Sequence, residues 1–166
     1  MKIGLSILLA LAGISRVYSQ NLSEREQQIV ALVESYEDDA IDYLEKVVNI
    51  NSGTLNLQGV REVGGVFAES FKELGLETKW IAMPEGMNRA GHLFVEQTGS
   101  RGKKLLLVGH LDTVFEKDSP FQKFERRGDG TAAAPGGFDM KGGNVVILSA
   151  LKACRQAGGL EVAQIS

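Results

Sequence analysis

The apolar run Leu105-Leu106-Leu107-Val108 is the sequence feature that most constrains the fold. It lies in a predicted strand from Lys104 to Gly109 and does not alternate with polar residues, which is typical of a central strand covered on both faces. After a long loop, a helical pattern runs from about Lys141 to Gln156, and a new strand is predicted from Leu160. A strand–helix–strand order implies a right-handed crossover, so we predict a mainly parallel sheet.

Two helical stretches and two alternating strands are predicted before this run. The first helix is predicted from Ser23 to about Ile50, and Ser23 with Glu26 forms a capping box at its start. The second carries its apolar residues on one face and is predicted to end near Gly75. The pattern then changes to a period of two, which predicts strands over 76–82 and 92–97.

Composition excludes several classes of protein. The chain has 166 residues, of which 43% are hydrophobic and 23% charged, as in ordinary globular domains. A formal net charge of -3 gives no electrostatic reason to bind nucleic acid. The single cysteine, Cys154, excludes an intramolecular disulfide, and we expect it to pack within a helix.

The first 19 residues have the layout of a secretory signal peptide. Lys2 precedes an apolar run from Ile3 to Ile14, and small or tolerated residues precede a cleavage site after Ser19. The alternative is a membrane anchor, but the apolar run is short for a bilayer span. We therefore predict a secreted or periplasmic protein without a stable membrane anchor, with residues 20–166 as the part that folds.

A histidine and an aspartate follow the buried strand directly. His110 and Asp112 are two residues apart, so their side chains can point the same way in extended backbone. Ligands of open α/β sheets gather at the carboxyl ends of strands, and imidazole is the commonest metal ligand in proteins. A metal-bound histidine usually gives its other ring proton to an oxygen acceptor. The alternative is a capped strand end with a solvated aspartate.

A second cluster, over 135–143, sets Asp139 in a glycine-rich turn before a helix. Glycines allow the backbone to approach a ligand closely, and the start of a helix favours a carboxylate or bound anion. A phosphate-binding loop is the alternative, but Lys141 is followed by Gly142 and the required glycine spacing is absent. His92 stands alone in a predicted strand, and we interpret it as a structural residue.

The two clusters together resemble a known family. Residues 109–114 (Gly-His-Leu-Asp-Thr-Val) and 136–143 (Gly-Gly-Phe-Asp-Met-Lys-Gly-Gly) are similar to motifs of the zinc metallopeptidase family of glutamate carboxypeptidase, aminoacylase, acetylornithine deacetylase and succinyl-diaminopimelate desuccinylase. The separation of 27 residues between Asp112 and Asp139 is typical of that family. The resemblance extends from about Val47 to Ser166 and implies a three-layer α/β catalytic domain.

The resemblance also implies roles for individual residues. His110 would bind one zinc ion, Asp139 would bridge two, and Asp112 would be the catalytic-site acid that tunes His110. Co²⁺ or Mn²⁺ could substitute for Zn²⁺. The peptide bond after Asp139 is often cis in the family. One departure is Ala134, at a position where the family usually has glycine.

The implied activity is hydrolysis of a peptide or amide bond next to a free carboxylate, with a small peptide or N-acyl amino acid as substrate. The alternatives are an aminoacylase or deacetylase, and a non-catalytic exported remnant of the fold. The resemblance implies that the chain is an amino-terminal fragment, which lacks the general-base glutamate, the later ligands and the inserted dimerisation domain. We expect this fragment to bind zinc weakly and to be inactive, and the full-length protein to be a homodimer.

Overall fold

The fold was obtained as a computed structural model, which describes residues 21–166. The predicted signal peptide, residues 1–19, lies outside the described residues. The helices are α1 (Glu24–Ser35), α2 (Glu37–Val48), α3 (Leu57–Glu73) and α4 (Gly142–Gln156). The strands are β1 (Glu77–Ile81), β2 (His92–Glu96), β3 (Lys104–Leu105), β4 (Glu125–Arg126), β5 (Ala132–Ala133) and β6 (Gln164–Ile165).

The predicted first helix is two helices, so the prediction of one helix from Ser23 to Ile50 was wrong. Its start is as predicted, since the capping box of Ser23 and Glu26 is present. The break comes at Tyr36, which is buried and hydrogen-bonds through its hydroxyl to Gln156 on α4. A contact with a distant helix therefore fixes the break, where no glycine or proline marks it.

The core forms where α2, α3 and α4 meet β6. α3 packs on the β1–β2 hairpin, and α4 contacts both α1 and α2. The buried cluster consists of Val47, Val63, Phe67, Phe71, Leu76, Val145, Leu148, Leu151, Leu160 and Ile165. The second predicted helix is confirmed as α3, and Gly75, at φ 75°, follows its end. The arrangement leaves the carboxyl end of α2 beside the amino end of α4.

The strands pair in three sets of two. β1 and β2 confirm the two strands that their alternation predicted, and they pair antiparallel, which was not predicted. β3 and β6 are parallel and joined through α4, which confirms the predicted strand–helix–strand order with parallel strands. β4 and β5 are antiparallel, so the sheet is not mainly parallel over residues 21–166. A 3₁₀ turn occupies Leu160–Val162, and the last strand begins at Gln164, four residues later than predicted.

The apolar run that led to the prediction of a central strand is mostly unpaired. Only Lys104 and Leu105 are in β3, and Leu106 and Val108 are each 74% exposed. The prediction of a strand covered on both faces is therefore wrong for residues 21–166. The physical reason is that β6 is too short to pair with the whole run. It pairs with β3 over two residues, and the next hydrogen bond joins the Leu107 amide to the Ser166 carbonyl.

Among residues 21–166, no helix is both long and apolar enough to cross a bilayer.

Candidate metal centre

Two loops that are far apart in sequence bring His110 and Asp139 together. His110 follows the apolar run, and Asp139 lies in a wide turn over Gly137–Lys141 just before α4. The Nε2 atom of His110 is 2.8 Å from Oδ1 of Asp139, across a sequence separation of 29 residues. Both side chains are partly exposed, so a ligand can reach the space between them.

The other ring nitrogen of His110 faces the backbone of Asp112. Nδ1 lies 2.9 Å from the Asp112 carbonyl oxygen and 3.4 Å from Oδ1 of its carboxylate. The carboxylate is itself held by Thr54, whose hydroxyl donates to Oδ2 at 2.6 Å. His110 thus contacts Asp112 as predicted, but its shorter contact is with the backbone carbonyl and not with the carboxylate. The tuning role of the Asp112 carboxylate stays a prediction.

Oxygen acceptors on both sides favour the charged form of the His110 ring. Partial burial lowers its pKa, but the hydrogen bonds to Asp139 and to the Asp112 carbonyl raise it, as do the charges of both carboxylates. The net result is a pKa above the usual 6.5. A neutral imidazole has one N–H, so only one of the two contacts can be a hydrogen bond from the ring after deprotonation.

The loop that carries His110 is anchored to the loop after α2. The Ser52 hydroxyl donates to the Leu111 carbonyl at 2.8 Å, and the Thr113 amide donates to the Ser52 carbonyl at 2.9 Å. The Thr54 amide in turn donates to the Thr113 carbonyl at 3.0 Å. Ser52 and Thr113 are buried, so these bonds are shielded from competing water.

The loop that carries Asp139 depends on close packing at Gly136. This residue has φ 70°, and a Cβ atom there would lie 2.2 Å from Cγ2 of Thr113. Its carbonyl accepts from the Lys141 amide at 2.9 Å, which closes the turn. The Asp139–Met140 peptide bond is cis, as the resemblance implied. The turn thus packs directly on the loop that carries His110.

Sequence reasoning missed three residues that support the two loops. These are Thr54, Asn144 and Lys141, of which only Lys141 was considered, as a phosphate ligand. Lys141 is 1% exposed, and burial lowers its pKa to about 8. Asn144 donates to the His110 carbonyl at 2.7 Å. For Lys141 and Asn144 the signal available was their position after Asp139, at the start of a helix.

The donor atoms fit a zinc ion. Zinc binds histidine nitrogen and carboxylate oxygen at about 2.0–2.2 Å, so two ligands of one ion lie roughly 3 Å apart. Nε2 of His110 and Oδ1 of Asp139 are 2.8 Å apart, and Nδ1 has the carbonyl acceptor that a metal-bound histidine usually has. Within residues 21–166, however, no group of three or more His, Cys, Asp or Glu side chains forms a metal site.

An open, mostly apolar cavity of about 730 Å³ lies beside the centre. It separates β2 from the exposed run Leu106–Val108 and reaches His110 and Asp112. His92, which lies in β2, also lines it, and its structural role stays a prediction. One candidate ligand, His110, therefore borders a cavity large enough for a small organic molecule.

Comparison with known proteins places this centre in a family. Residues 106–165, which include both loops, match the model described as peptidase family M20/M25/M40. Carboxypeptidase G2 from Pseudomonas sp. (strain RS-16) is 38% identical over 125 residues, which is 71% of this chain and 28% of that protein. The segment with both loops thus matches a peptidase family whose members are typically metal-dependent, and the family resemblance predicted from the paired motifs is confirmed.

Solved structures share the fold. Human carnosine dipeptidase 1 matches with a TM-score of 0.68 and 18% identity, over 84% of this chain and 33% of that one. The dipeptidase Dug1p from Saccharomyces cerevisiae matches with a TM-score of 0.65 and 16% identity, over 84% of this chain and 34% of that one. These matches confirm the predicted fold class. The chain spans about a third or less of the length of these proteins.

Proposed function

We propose that the whole protein hydrolyses a peptide or amide bond next to a free carboxylate, with two zinc ions in its complete active site. The observation that carries this proposal is the 2.8 Å pairing of His110 Nε2 with Asp139 Oδ1. In this proposal His110 and Asp139 would hold the zinc, His110 as a ligand of one ion and Asp139 as a carboxylate shared by both. Co²⁺ or Mn²⁺ could replace zinc at the same ligands.

Each side chain has a defined task in this proposal. Two metal ions that share a carboxylate would activate water and polarise the carbonyl of the scissile bond. His110 donates a hydrogen bond from Nδ1–H to the Asp112 carbonyl, which leaves the Nε2 lone pair free for a ligand bond. Thr54 donates to the Asp112 carboxylate and so keeps that negative charge beside the ring.

The carboxylate-adjacent substrate is proposed from the relative and the chemistry of the family. The relative that is 38% identical over 125 residues is named carboxypeptidase G2. Its name indicates cleavage at the carboxyl end of a substrate. A small peptide or N-acyl amino acid, such as one ending in glutamate, would fit a cavity of about 730 Å³ beside His110. We also propose that the whole protein is a homodimer.

Residues 1–166 alone are proposed to be inactive. Hydrolysis of this type uses a general base within hydrogen-bond reach of the attacking water. In the part of the chain that the structure describes, no glutamate hydrogen-bonds to His110 or Asp139. Turnover by a purified 166-residue chain, lost on chelation and regained with zinc, would contradict this proposal.

The experiment that tests the function uses protein purified from its host, assayed on an N-acyl glutamate and on its amide-blocked analogue. We expect turnover of the free carboxylate only, loss of turnover with a chelator, and recovery with zinc. His110→Ala should abolish turnover, whereas His92→Ala, the matched control at the other histidine, should retain it. Equal turnover of the blocked analogue would contradict the substrate proposal, and resistance to chelation would contradict the metal proposal.

We further propose that the protein is exported. The support is the layout of residues 1–19, a positive start followed by an apolar run and a cleavage sequence. Amino-terminal sequencing of the mature protein should begin at Gln20. A mature protein that retains Met1 or Lys2 would contradict cleavage after Ser19.

A further inference from the structure

Lys141 is the one charged side chain that is buried within residues 21–166. Its Nζ atom donates to the carbonyl oxygens of Val47 and Ile50, each at 2.8 Å. It has no carboxylate partner in the described part of the chain. Burial of an ammonium group is costly, so a lysine here needs a reason beyond filling space.

The two carbonyls that Lys141 contacts lie at the end of α2. The last carbonyls of a helix have no partner within the helix, and a cation is favourable there because of the helix dipole. Val47 is the second-last residue of α2, and Ile50 follows the helix by two residues. Lys141 therefore links the end of α2 to the turn that carries Asp139, over more than 90 residues of sequence.

Asn144, one turn further along, contacts the other loop. Its side-chain amide is buried and donates to the His110 carbonyl at 2.7 Å. Asn144 also packs closely against the residue before His110, since a Cβ atom at Gly109 would lie 2.2 Å from Oδ1 of Asn144. The start of α4 therefore holds the loop of His110 through Asn144 and the end of α2 through Lys141.

The ligands themselves are not held by burial. The side chains of His110 and Asp139 are 43% and 78% exposed, so their packing alone cannot fix the distance between them. Support must come from the buried contacts behind them. We propose that Lys141 and Asn144 are positioning residues, which set the separation of His110 and Asp139 before a metal ion binds.

This inference rests on the proposed function, because it assigns the two residues to a metal centre. The test compares Lys141→Met with Lys152→Met in Co²⁺ titrations of the whole protein, at a temperature where circular dichroism shows both to be folded. Lys152 is a matched control, since it lies on α4 and its Nζ is 4.2 Å from the Tyr36 ring, away from both loops. The readouts are the Co²⁺ dissociation constant and the visible absorption spectrum.

We expect Lys141→Met to bind Co²⁺ about 10- to 100-fold more weakly than the wild type, the range known for residues that orient metal ligands. Its visible spectrum should change as well, because the ligand geometry is altered. Lys152→Met should keep the wild-type affinity and spectrum. A merely structural role for Lys141 would lower thermal stability without changing either readout of the folded protein.

Asn144→Ala keeps the inference testable where Lys141→Met does not fold. It removes only the donor to the His110 carbonyl, and the same weakening and spectral change are expected. Wild-type affinity and spectrum in the folded variants would overturn the inference and leave the proposed function standing. A wild type that binds no Co²⁺ would instead overturn the metal centre, and with it the positioning roles.

Discussion

Two neighbouring segments of the chain, Leu106–Val108 and His110–Thr113, are held in opposite ways. The first is apolar but largely exposed, with Leu106 and Val108 each 74% accessible. The second is mostly polar and is fixed by hydrogen bonds from two buried residues, Ser52 and Asn144. The difference shows that the candidate metal centre is held by loops and by the ends of α2 and α4, and not by a paired strand beneath it.

The largest expected contrast is between two leucines. Leu160 is 1% exposed and lies in the core cluster, whereas Leu106 borders the open cavity. Leu160→Ala should lower the free energy of unfolding by about 2–5 kcal/mol, because it leaves a hole in the core. Leu106→Ala should change it by less than about 0.5 kcal/mol. Urea unfolding checks both, and a similar loss in the two variants would show that the exposed run is part of the core.

Lys141 should make stability depend on pH in the alkaline range. Its folded pKa of about 8 lies below the ordinary 10.5, so between these values the unfolded chain binds more protons than the folded one. The free energy of unfolding of the wild type, measured relative to that of Lys141→Met, should therefore rise by about 3 kcal/mol in total as pH increases from 8 to 10.5. Urea unfolding of both proteins across this range measures the difference. A flat or falling difference would contradict the burial of a cation behind the centre.

Ser52 tests the anchor of the polar segment. Ser52→Ala removes a buried hydroxyl that donates to the Leu111 carbonyl and should cost about 1–3 kcal/mol in the free energy of unfolding. Ser35→Ala is the matched control, because its hydroxyl also donates to a backbone carbonyl, that of Leu32, but at an exposed position. Thermal unfolding should show little change in the control. Equal losses would mean that the buried anchor has no special importance.

The smallest effect is expected from His110 in the metal-free protein. Because its folded pKa is raised above 6.5, the charged ring contributes stability that is fully present below pH 6.5 and is lost as pH rises through the folded pKa. The stability difference between wild type and His110→Gln should fall between pH 6 and 8 in the presence of a chelator. A difference that grows with pH would show that the ring does not pair with Asp139.

Local patterns predicted much of the fold. The period of two predicted the strands β1 and β2, although not their pairing, and the helical period predicted α4 within one residue and the end of α3 within two. The break at Tyr36 was missed because helix-forming residues continue across it, and a contact with Gln156 decides it. The apolar run was misread because coverage of a strand depends on neighbouring strands, which its own residues do not reveal.

The site was predicted in part. His110 and Asp139 follow from the two motifs, and the structure brings them into contact. The supporting residues could not be predicted, because Thr54, Lys141 and Asn144 are ordinary polar residues whose partners lie 34 to 94 residues away. Their function depends on tertiary packing, which no local period encodes.

The most direct test of the metal centre is an anomalous difference map at the zinc edge, from crystals of the protein grown with zinc. We predict a peak within about 2.0–2.2 Å of both Nε2 of His110 and an oxygen of Asp139. A peak at His92, or full zinc occupancy elsewhere with none between His110 and Asp139, would contradict the assignment of these two residues as metal ligands.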